Sequence, residues 1–415
     1  MNQSKAIYFG LLFLLLGILT GCHHNDEPDP TPDPQKATRT VLVYMVADNS
    51  MSAFDKGDIK EMKEGFAMAG VDASKHNLLV YVDDYSNNPT LYRITQDATG
   101  VVKDEIIYEY PTDHDSASPT TIKDVILRAK AECPAQSYGF VYWSHGEGWI
   151  PYPVPSKSVK PVAGIEWKWI GIDTSRSNII ELAATLRAGF GQKLSFLLLD
   201  ACFMLSVETL YDLRDAAEWV ISSPTEIPGP GAPYHVLVPE MFSSTPEIGI
   251  VRSYYNYYAA TYDETKICTN VNWTGGVSIG ATKMSAMENL AKVTKQVLAK
   301  HQHVSLETLM ESLLDYDKRN PLGSSHIGYY DLSQLMEKVL PASDFRTWKT
   351  AFDAAMTTFV TTPKNYSAFV GLFSMEGSKG LSVYLPVNED GTSPRDVAYQ
   401  NTSWYKDAGI SQLGW

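Results

Sequence analysis

A histidine and a cysteine each stand just beyond an apolar run of this sequence. The run at residues 138–143 is followed by Ser144 and His145, and the run at residues 194–199 is followed, three residues on, by Cys202. An imidazole can act as a general base, and a thiol is a strong nucleophile when a base lies within reach. A helical pattern begins after Cys202, and the positive end of a helix dipole favours the thiolate. The two side chains could therefore act as nucleophile and base.

Each of these residues also has an ordinary structural explanation. A histidine at a strand end is more often structural, and a single cysteine after a hydrophobic run is usually a small core residue. Matching chemistry at two strand ends of one chain favours a functional pair, provided that the fold places the two ends side by side.

Alternating strand and helix patterns predict the elements that would position the pair. Short runs rich in β-branched and aromatic residues lie at 41–46, 78–82, 139–143, 194–199 and 219–222. Apolar residues at helical spacing lie between them. This alternation predicts a mostly parallel sheet with helices on both faces, and such sheets place their chemistry at the carboxyl ends of the strands.

The residues at the two strand ends resemble a known family of peptidases. His145-Gly146 and Asp200-Ala201-Cys202 look like the paired signature of clostripain-like cysteine peptidases, relatives of the caspases, gingipains and legumains. The similarity continues in the segments 43–49, 171–173, 223–226 and 380–386. It implies an α/β fold of the caspase-like type: a three-layer sandwich with a mostly parallel central sheet, helices on both faces, and C-terminal additions.

The resemblance also implies roles for individual residues. Cys202 would be the attacking thiolate and His145 the residue that handles protons, with no third acid. The backbone N–H groups of Gly146 and Cys202 would form the oxyanion hole. The implied activity is that of an endopeptidase, which hydrolyses peptide bonds through an acyl-enzyme on Cys202.

The substrate-binding residues implied by the resemblance are Asp200, Ser223 and Glu226. Relatives that cleave after arginine or lysine line the pocket with acidic residues, and Asp200 matches one such position. Pro230 replaces an acid often found between two glycines, so Glu226 would substitute for it, or would instead be a loop residue bonded to backbone. We expect a preference for arginine or lysine before the scissile bond.

Some relatives cut themselves in the loop after the catalytic histidine. The matching loop here contains Lys157-Ser158 and Lys160-Pro161, and a proline after the bond makes a poor cleavage partner. Lys157 is therefore the predicted processing site, and the alternative is a solvated loop lysine.

The N-terminal residues have the pattern of an exported lipoprotein. Residues 1–21 combine Lys5 with an apolar run too short for a membrane span, and they end in Leu-Thr-Gly before Cys22. Cys22 would carry lipid after cleavage, and the acidic, proline-rich residues 22–38 would form an extended tether. His23 stands where an aspartate would signal retention in the inner membrane, so we expect a cell-envelope lipoprotein of the outer membrane or cell surface.

The rest of the chain is assigned to a peptidase domain at residues 39–390 and a C-terminal extension at 391–415 that packs on it. The formal net charge of −14, with no long basic run, argues against a nucleic-acid partner. The expected partners are protein or peptide substrates, together with the membrane through the N-terminal lipid.

Cysteine and histidine usage limits the remaining chemistry. Export permits disulfides, so Cys133 and Cys268 could form a bridge or remain free thiols. The histidines at 23–24 and at 301 and 303 do not have the arrangement of a metal site. We expect no required cofactor; some relatives respond to calcium, but no loop in this sequence dictates a calcium site.

The chief alternative is a catalytically silent surface lipoprotein of the same fold that binds peptides or glycans. The aromatic content of 11% and the tryptophans at 143, 149, 167 and 169 support it. Aromatic clusters are more often core packing, however, and a binding protein has no need for both strand-end motifs. The two hypotheses differ in whether Cys202 reacts.

Overall fold

The structure is a computed structural model, which describes residues 36–68, 70–97, 99–150, 169–300, 304–319, 326–386 and 392–415. None of the helices formed by these residues is both long enough and apolar enough to cross a membrane. The predicted signal, Cys22 and most of the predicted tether lie outside the described residues.

The β-strands of the described chain are organised around one large sheet. They are β1 (Ala37–Ala47), β2 (His76–Asp84), β3 (Asn87–Gln96), β4 (Val102–Glu109), β5 (Ala135–Trp143), β6 (Trp169–Ile172), β7 (Arg176–Asn178), β8 (Phe196–Asp200), β9 (Trp219–Ser222), β10 (Ser278–Lys283), β11 (Tyr329–Asp331), β12 (Met356–Thr361), β13 (Lys364–Ser367), β14 (Gly371–Ser374) and β15 (Ser382–Tyr384). Nine of them form the central sheet in the order β12-β10-β9-β8-β5-β1-β2-β3-β4. The others form the pairs β6–β7, β11–β15 and β13–β14.

The centre of this sheet is parallel and its edges are antiparallel. Strands β2, β1, β5, β8 and β9 pair in parallel. Antiparallel pairing adds β3 and β4 at one edge and β10 and β12 at the other. The five apolar runs identified in the sequence correspond to the five parallel strands, and the complete sheet is mixed.

Helices cover both faces of the sheet. They are α1 (Asp55–Phe66), α2 (Pro119–Glu132), α3 (Ile179–Phe190), α4 (Val207–Leu213), α5 (Tyr234–Met241), α6 (Pro246–Thr261), α7 (Met287–Leu298), α8 (Leu306–Met310), α9 (Leu332–Val339), α10 (Ala342–Ala355), α11 (Pro394–Gln400) and α12 (Ser403–Asp407). Residues of α1, α5 and α6 share one hydrophobic core, and residues of α2, α3 and α4 share the other.

Alternate side chains of β1 enter these two cores. Tyr44 and Val46 pack with α2, α3 and α4, whereas Val43 and Met45 pack with α1, α5 and α6. Successive side chains of a strand point to opposite faces, so a strand that is covered on both faces is apolar along its whole length. This is why the central strands are recognisable as continuous apolar runs.

The C-terminal residues belong to the core that contains α2, α3 and α4. Tyr399 and Trp404 are fully buried there. The hydroxyl of Tyr211 in α4 donates to Oδ2 of Asp407 at 2.8 Å. Residues 392–415 therefore contribute to the packing of the domain.

The cysteines of the described chain are free thiols. Cys133 is buried, and Cys202 and Cys268 are half-buried. Of the two alternatives for Cys133 and Cys268, the structure has free thiols and no bridge.

Candidate active site

The parallel pairing of β5 with β8 brings His145 and Cys202 to one edge of the sheet. Trp143, the last residue of β5, is paired with Asp200, the last residue of β8. His145 and Cys202 each follow two residues later. The two residues therefore leave neighbouring strands at the same level, at the carboxyl ends where parallel sheets place their ligands.

Gly146 sets the closest approach between the two loops. A Cβ atom added there would lie 2.9 Å from Cβ of Ala201, 2.9 Å from Sδ of Met204 and 3.2 Å from the carbonyl oxygen of Cys202. These distances are shorter than normal contacts, so any side chain at this position would force the loops apart. The glycine that follows His145 thus has a steric reason.

The thiol of Cys202 is held in its neutral form. The residue is half-buried, and burial raises the pKa of the thiol to about 12. The carboxyl groups of Glu226, Glu147 and Asp200 also disfavour the thiolate, while the backbone N–H of Ile227 donates a hydrogen bond that favours it.

His145 is oriented by a serine from a third strand end. Its Nε2 lies 2.8 Å from Oγ of Ser50, which follows the carboxyl end of β1. Burial lowers the pKa of the imidazole, so the neutral ring is favoured. Because Ser50 occupies Nε2, Nδ1 is the ring nitrogen left for proton transfer. The sequence analysis did not identify Ser50, although it directly follows the segment 43–49 that carries the family resemblance.

Asn49 fixes the turn that carries Ser50. Its side-chain amide donates to the carbonyl oxygens of Val46 and Ile172, both at 2.8 Å. Its oxygen accepts from the N–H of Met51 at 2.8 Å. Since Ile172 lies beside the His145 loop, where the N–H of Gly171 donates to the carbonyl oxygen of His145 at 2.8 Å, this asparagine ties the β1 turn to the histidine segment.

The residue after Cys202 has an unusual backbone conformation. Phe203 has φ of 59°, in the left-handed region that costs a non-glycine residue about 1–2 kcal/mol. Its N–H donates to the carbonyl oxygen of Thr225 at 3.0 Å, and its ring stacks on Tyr329 with centroids 5.6 Å apart. These contacts hold the sharp turn in which Cys202 lies.

The two N–H groups predicted for the oxyanion hole are those of Gly146 and Cys202. Among the backbone hydrogen bonds of the described residues, neither N–H donates to a carbonyl oxygen. Both belong to the loops that Gly146 brings together. The two donors are thus free, within the described part of the chain, to bind an oxygen of a ligand.

Asp200, two residues before Cys202, has a buried carboxyl group. It is 2% exposed, and its Oδ2 accepts from the hydroxyl of Tyr234 at 2.8 Å and from the N–H of Ala232 at 3.3 Å. Its Oδ1 is buried without a hydrogen-bond partner in the described residues. Burial raises the pKa of this carboxyl to about 6, and the two hydrogen bonds only partly oppose the shift.

A second buried carboxyl group, which the sequence analysis did not identify, belongs to Asp58 of α1. Its Oδ2 accepts from Nε1 of Trp143 at 2.7 Å, and the residue is 4% exposed. Burial and the charge of Asp200 raise the pKa of Asp58 to about 9. In the sequence it is an ordinary acid in the first turn of a helix, and no signal there marks it as functional.

The other two predicted substrate-binding residues, Glu226 and Ser223, have different hydrogen-bond partners from those of Asp200. Glu226 accepts from Oγ of Ser367 at 2.8 Å and from the N–H of Ala368 at 3.1 Å, so its carboxylate binds a neighbouring loop. This is the alternative considered for Glu226. The hydroxyl of Ser223 is fully buried and lies 3.1 Å from Oγ1 of Thr225.

Lys157 and Cys22 lie outside the described residues. Within the described ranges, no group of three or more histidine, cysteine, aspartate or glutamate side chains is arranged to hold a metal ion.

Comparison with known proteins gives this arrangement a context. The model of the clostripain family, peptidase C11, matches residues 43–414. The chain is similar to a secreted C11 cysteine protease from Bacteroides thetaiotaomicron, solved in complex with an irreversible peptide inhibitor. Sequence identity is 36% and the TM-score is 0.78, over 90% of this chain and 99% of that one. No match to a curated protein was found.

Two other solved structures are similar. An inactive zymogen C11 protease from Parabacteroides distasonis has 27% identity and a TM-score of 0.74, over 90% of this chain and 99% of that one. A cysteine protease from B. fragilis has 40% identity and a TM-score of 0.54, over 60% of this chain and 99% of that one. These likenesses confirm the predicted fold class, a caspase-like α/β arrangement, here with a mixed nine-stranded sheet between helices.

Proposed function

The chain belongs to the clostripain family and is a cysteine peptidase, and we propose that Cys202 and His145 form the catalytic dyad of an exported, lipid-anchored endopeptidase. The observation that supports the proposal is the pairing of Trp143 with Asp200, because His145 and Cys202 each follow two residues after one of these two paired strand ends. The close approach of Gly146 to the Cys202 carbonyl supports the same pairing of loops.

The first step is attack by the thiol on the substrate carbonyl. The Cys202 thiol and the His145 imidazole both start neutral, because burial raises the pKa of Cys202 and lowers that of His145. The proton of Sγ passes to Nδ1 of His145 as sulfur bonds to the carbonyl carbon, since Ser50 holds Nε2. General-base transfer in the same step avoids forming a free thiolate beside three carboxyl groups.

The tetrahedral intermediate carries a negative oxygen, which the N–H groups of Gly146 and Cys202 stabilise. One such donor is worth about 2.7–4 kcal/mol of barrier in comparable sites. The carbon–nitrogen bond then breaks, and the departing amine takes the proton from His145. Water hydrolyses the thioester, again with His145 as base, and restores the thiol.

The proposed preference is for arginine or lysine before the scissile bond. Its support is Asp200, whose buried Oδ1 has no partner among the described residues. A cationic side chain would satisfy that atom and neutralise the carboxylate by a charge-assisted hydrogen bond.

The proposed location of the protein is based on its N-terminal sequence, and the proposed processing step is based on the sequence of the loop after His145. We propose a cell-envelope lipoprotein of the outer membrane or cell surface, anchored by lipid on Cys22. The similar protease from Bacteroides thetaiotaomicron is secreted, which supports export. Cleavage after Lys157 is proposed as an activating step, and the inactive zymogen form of the relative from Parabacteroides distasonis supports it.

A peptide-library cleavage assay tests the dyad. Wild type should cleave after basic residues, and Cys202→Ala and His145→Ala should lose that activity while they keep the wild-type melting temperature. A chelator tests whether a metal is needed: we expect activity to persist, because the proposed steps require none, and loss of activity that calcium restores would indicate a calcium dependence. Equal cleavage by wild type and Cys202→Ala would refute the mechanism. No cleavage and no labelling by a thiol-reactive peptide probe would favour the silent binding protein.

A further inference from the structure

We propose that Asp58 of α1 is a specificity-determining residue, which shares with Asp200 the recognition of a cationic substrate side chain. The inference rests on the proposed function and adds to it a residue from a different part of the chain. No element of the family resemblance stated for the sequence includes Asp58.

The carboxyl groups of Asp58 and Asp200 both lie beside Gly231. A Cβ atom added at Gly231 would have as its nearest neighbours Oδ2 of Asp58 at 3.3 Å, Oδ2 of Asp200 at 3.7 Å and Nε1 of Trp143 at 3.7 Å. Both carboxyl groups therefore face the same small space beside this glycine. Trp143 fixes one of them there through its 2.7 Å hydrogen bond to Asp58.

Gly231 places no side-chain atom between the two carboxyl groups. Its φ of +77° lies in the region that favours glycine, and its carbonyl oxygen accepts from the hydroxyl of Tyr258 at 2.6 Å. A side chain at this position would be strained and would point among the two carboxyl groups. The neighbouring Pro230 stands where an acid was expected and carries no carboxyl group. In our proposal Asp58 of α1 supplies that second carboxyl group instead.

Neither carboxyl group has a cationic partner within the described part of the chain. None of the ion pairs between described residues includes Asp58 or Asp200, and the hydrogen-bond donors they have are neutral. Oδ1 of Asp200 has no donor at all within the described residues, although the residue is more than nine-tenths buried. Buried carboxyl groups normally have such partners, so this pair lacks a cation that it is suited to bind.

The raised pKa values of both groups agree with this interpretation. Burial is the first cause for each, and the charge of Asp200 adds to the shift of Asp58. A guanidinium or ammonium group between them would reverse both effects, because an opposite charge favours the ionised carboxylate. The chemical class of the ligand is therefore a basic side chain of a peptide substrate.

The test compares two peptides that differ only in the residue before the scissile bond, arginine or its neutral analogue citrulline. Asp58→Asn keeps an oxygen for Trp143 and removes the carboxyl group that a bound cation would hold ionised. The ratio of kcat/KM for arginine over citrulline should fall roughly tenfold to a hundredfold, as for loss of a charge-assisted hydrogen bond. Glu64→Gln is the matched control, since this exposed acid lies on the same helix, and its ratio should equal that of wild type.

The outcomes separate this inference from the proposed function. A wild-type ratio in Asp58→Asn, or an equal loss for both peptides, assigns Asp58 a structural role and overturns the inference while the dyad stands. Cleavage that depends on Cys202 but shows no preference for arginine in wild type overturns it as well. Cleavage that is independent of Cys202 refutes the proposed function itself.

Discussion

Among the described residues, burial and nearby carboxyl groups act on the pKa of Cys202, and both disfavour the thiolate. Burial raises the pKa of Cys202 and lowers that of His145. Three carboxyl groups add to the shift at sulfur. These shifts favour a neutral thiol and a neutral imidazole at rest, which agrees with the proposed transfer of the thiol proton during attack.

Alkylation of the free enzyme tests the state of Cys202. The thiolate is the reactive form, so the rate of alkylation by iodoacetamide should rise about tenfold per pH unit from about pH 6 to about pH 9. No plateau is expected, since the pKa of about 12 lies above this range. Mass spectrometry would separate labelling of Cys202 from that of half-buried Cys268. A plateau near neutral pH would mean an ion pair and contradict the neutral resting state.

Ser50 provides a second test at the residue scale. Ser50→Ala removes the hydrogen bond to Nε2 of His145. A neutral hydrogen bond is worth about 0.5–1.5 kcal/mol, so kcat should fall roughly two- to tenfold with little change in KM. Ser50→Thr, which retains the hydroxyl, should restore kcat. If kcat is the same in Ser50→Ala as in wild type, the serine does not position the base.

At the level of secondary-structure elements, the candidate site is assembled by contact between two loops, one with His145 and one with Cys202. The His145 loop and the Cys202 loop follow paired strands, and Gly146 allows them to touch. Asn49 adds the β1 turn to the same assembly. The geometry of the proposed dyad therefore depends on backbone contacts between elements as much as on Cys202 and His145 themselves.

Gly146→Ala tests this dependence. The added methyl group would lie 2.9 Å from Ala201 and Met204, so the histidine loop must move. A displacement of about 1 Å can cost on the order of 100-fold in rate, and kcat/KM should fall by about that factor. Gly57→Ala is the control, because a Cβ there has nothing within 4 Å. Placed in α1, it should leave kcat/KM unaltered and stabilise the protein by about 0.4–1 kcal/mol. Wild-type activity in Gly146→Ala would show that the loops tolerate separation.

Several buried acids influence the stability of the whole molecule. Asp83 of β2 is fully buried, accepts from the hydroxyl of Ser116, and has an Oδ1 with no partner in the described residues. Burial, together with the charges of nearby aspartates, raises its pKa to about 8. The folded protein thus holds a proton that the unfolded chain releases at about pH 4.

Asp83→Asn should make stability less dependent on pH. A raised folded-state pKa contributes stability that is present below the unfolded pKa and is lost as pH rises towards about 8. The free energy of unfolding of wild type should therefore fall, relative to the variant, by up to about 1.4 kcal/mol per pH unit between about pH 5 and about pH 8. Denaturant titrations at these two pH values measure the difference. Parallel slopes for both proteins would show that Asp83 is ionised in the folded state.

The central strands and the two residues proposed for catalysis were predictable from local sequence patterns. Strands buried on both faces are continuously apolar, so β1, β2, β5, β8 and β9 were recognisable. Strand β4 is mostly exposed and has no such pattern, and β3, β10 and β12 also lay outside the predicted set. His145 and Cys202 were recognisable because each follows a predicted strand and because local motifs carry the family resemblance.

The groups that surround His145 and Cys202 could be identified only from the folded chain. Ser50 and Asp58 lie 95 and 85 residues before His145 and Trp143, the residues they contact, and sequence spacing says nothing about contacts of that range. The same holds for Glu226, whose carboxylate binds a loop 141 residues later. Strand register and helix packing set these distances, and they follow from how both faces of the sheet are filled rather than from any local pattern.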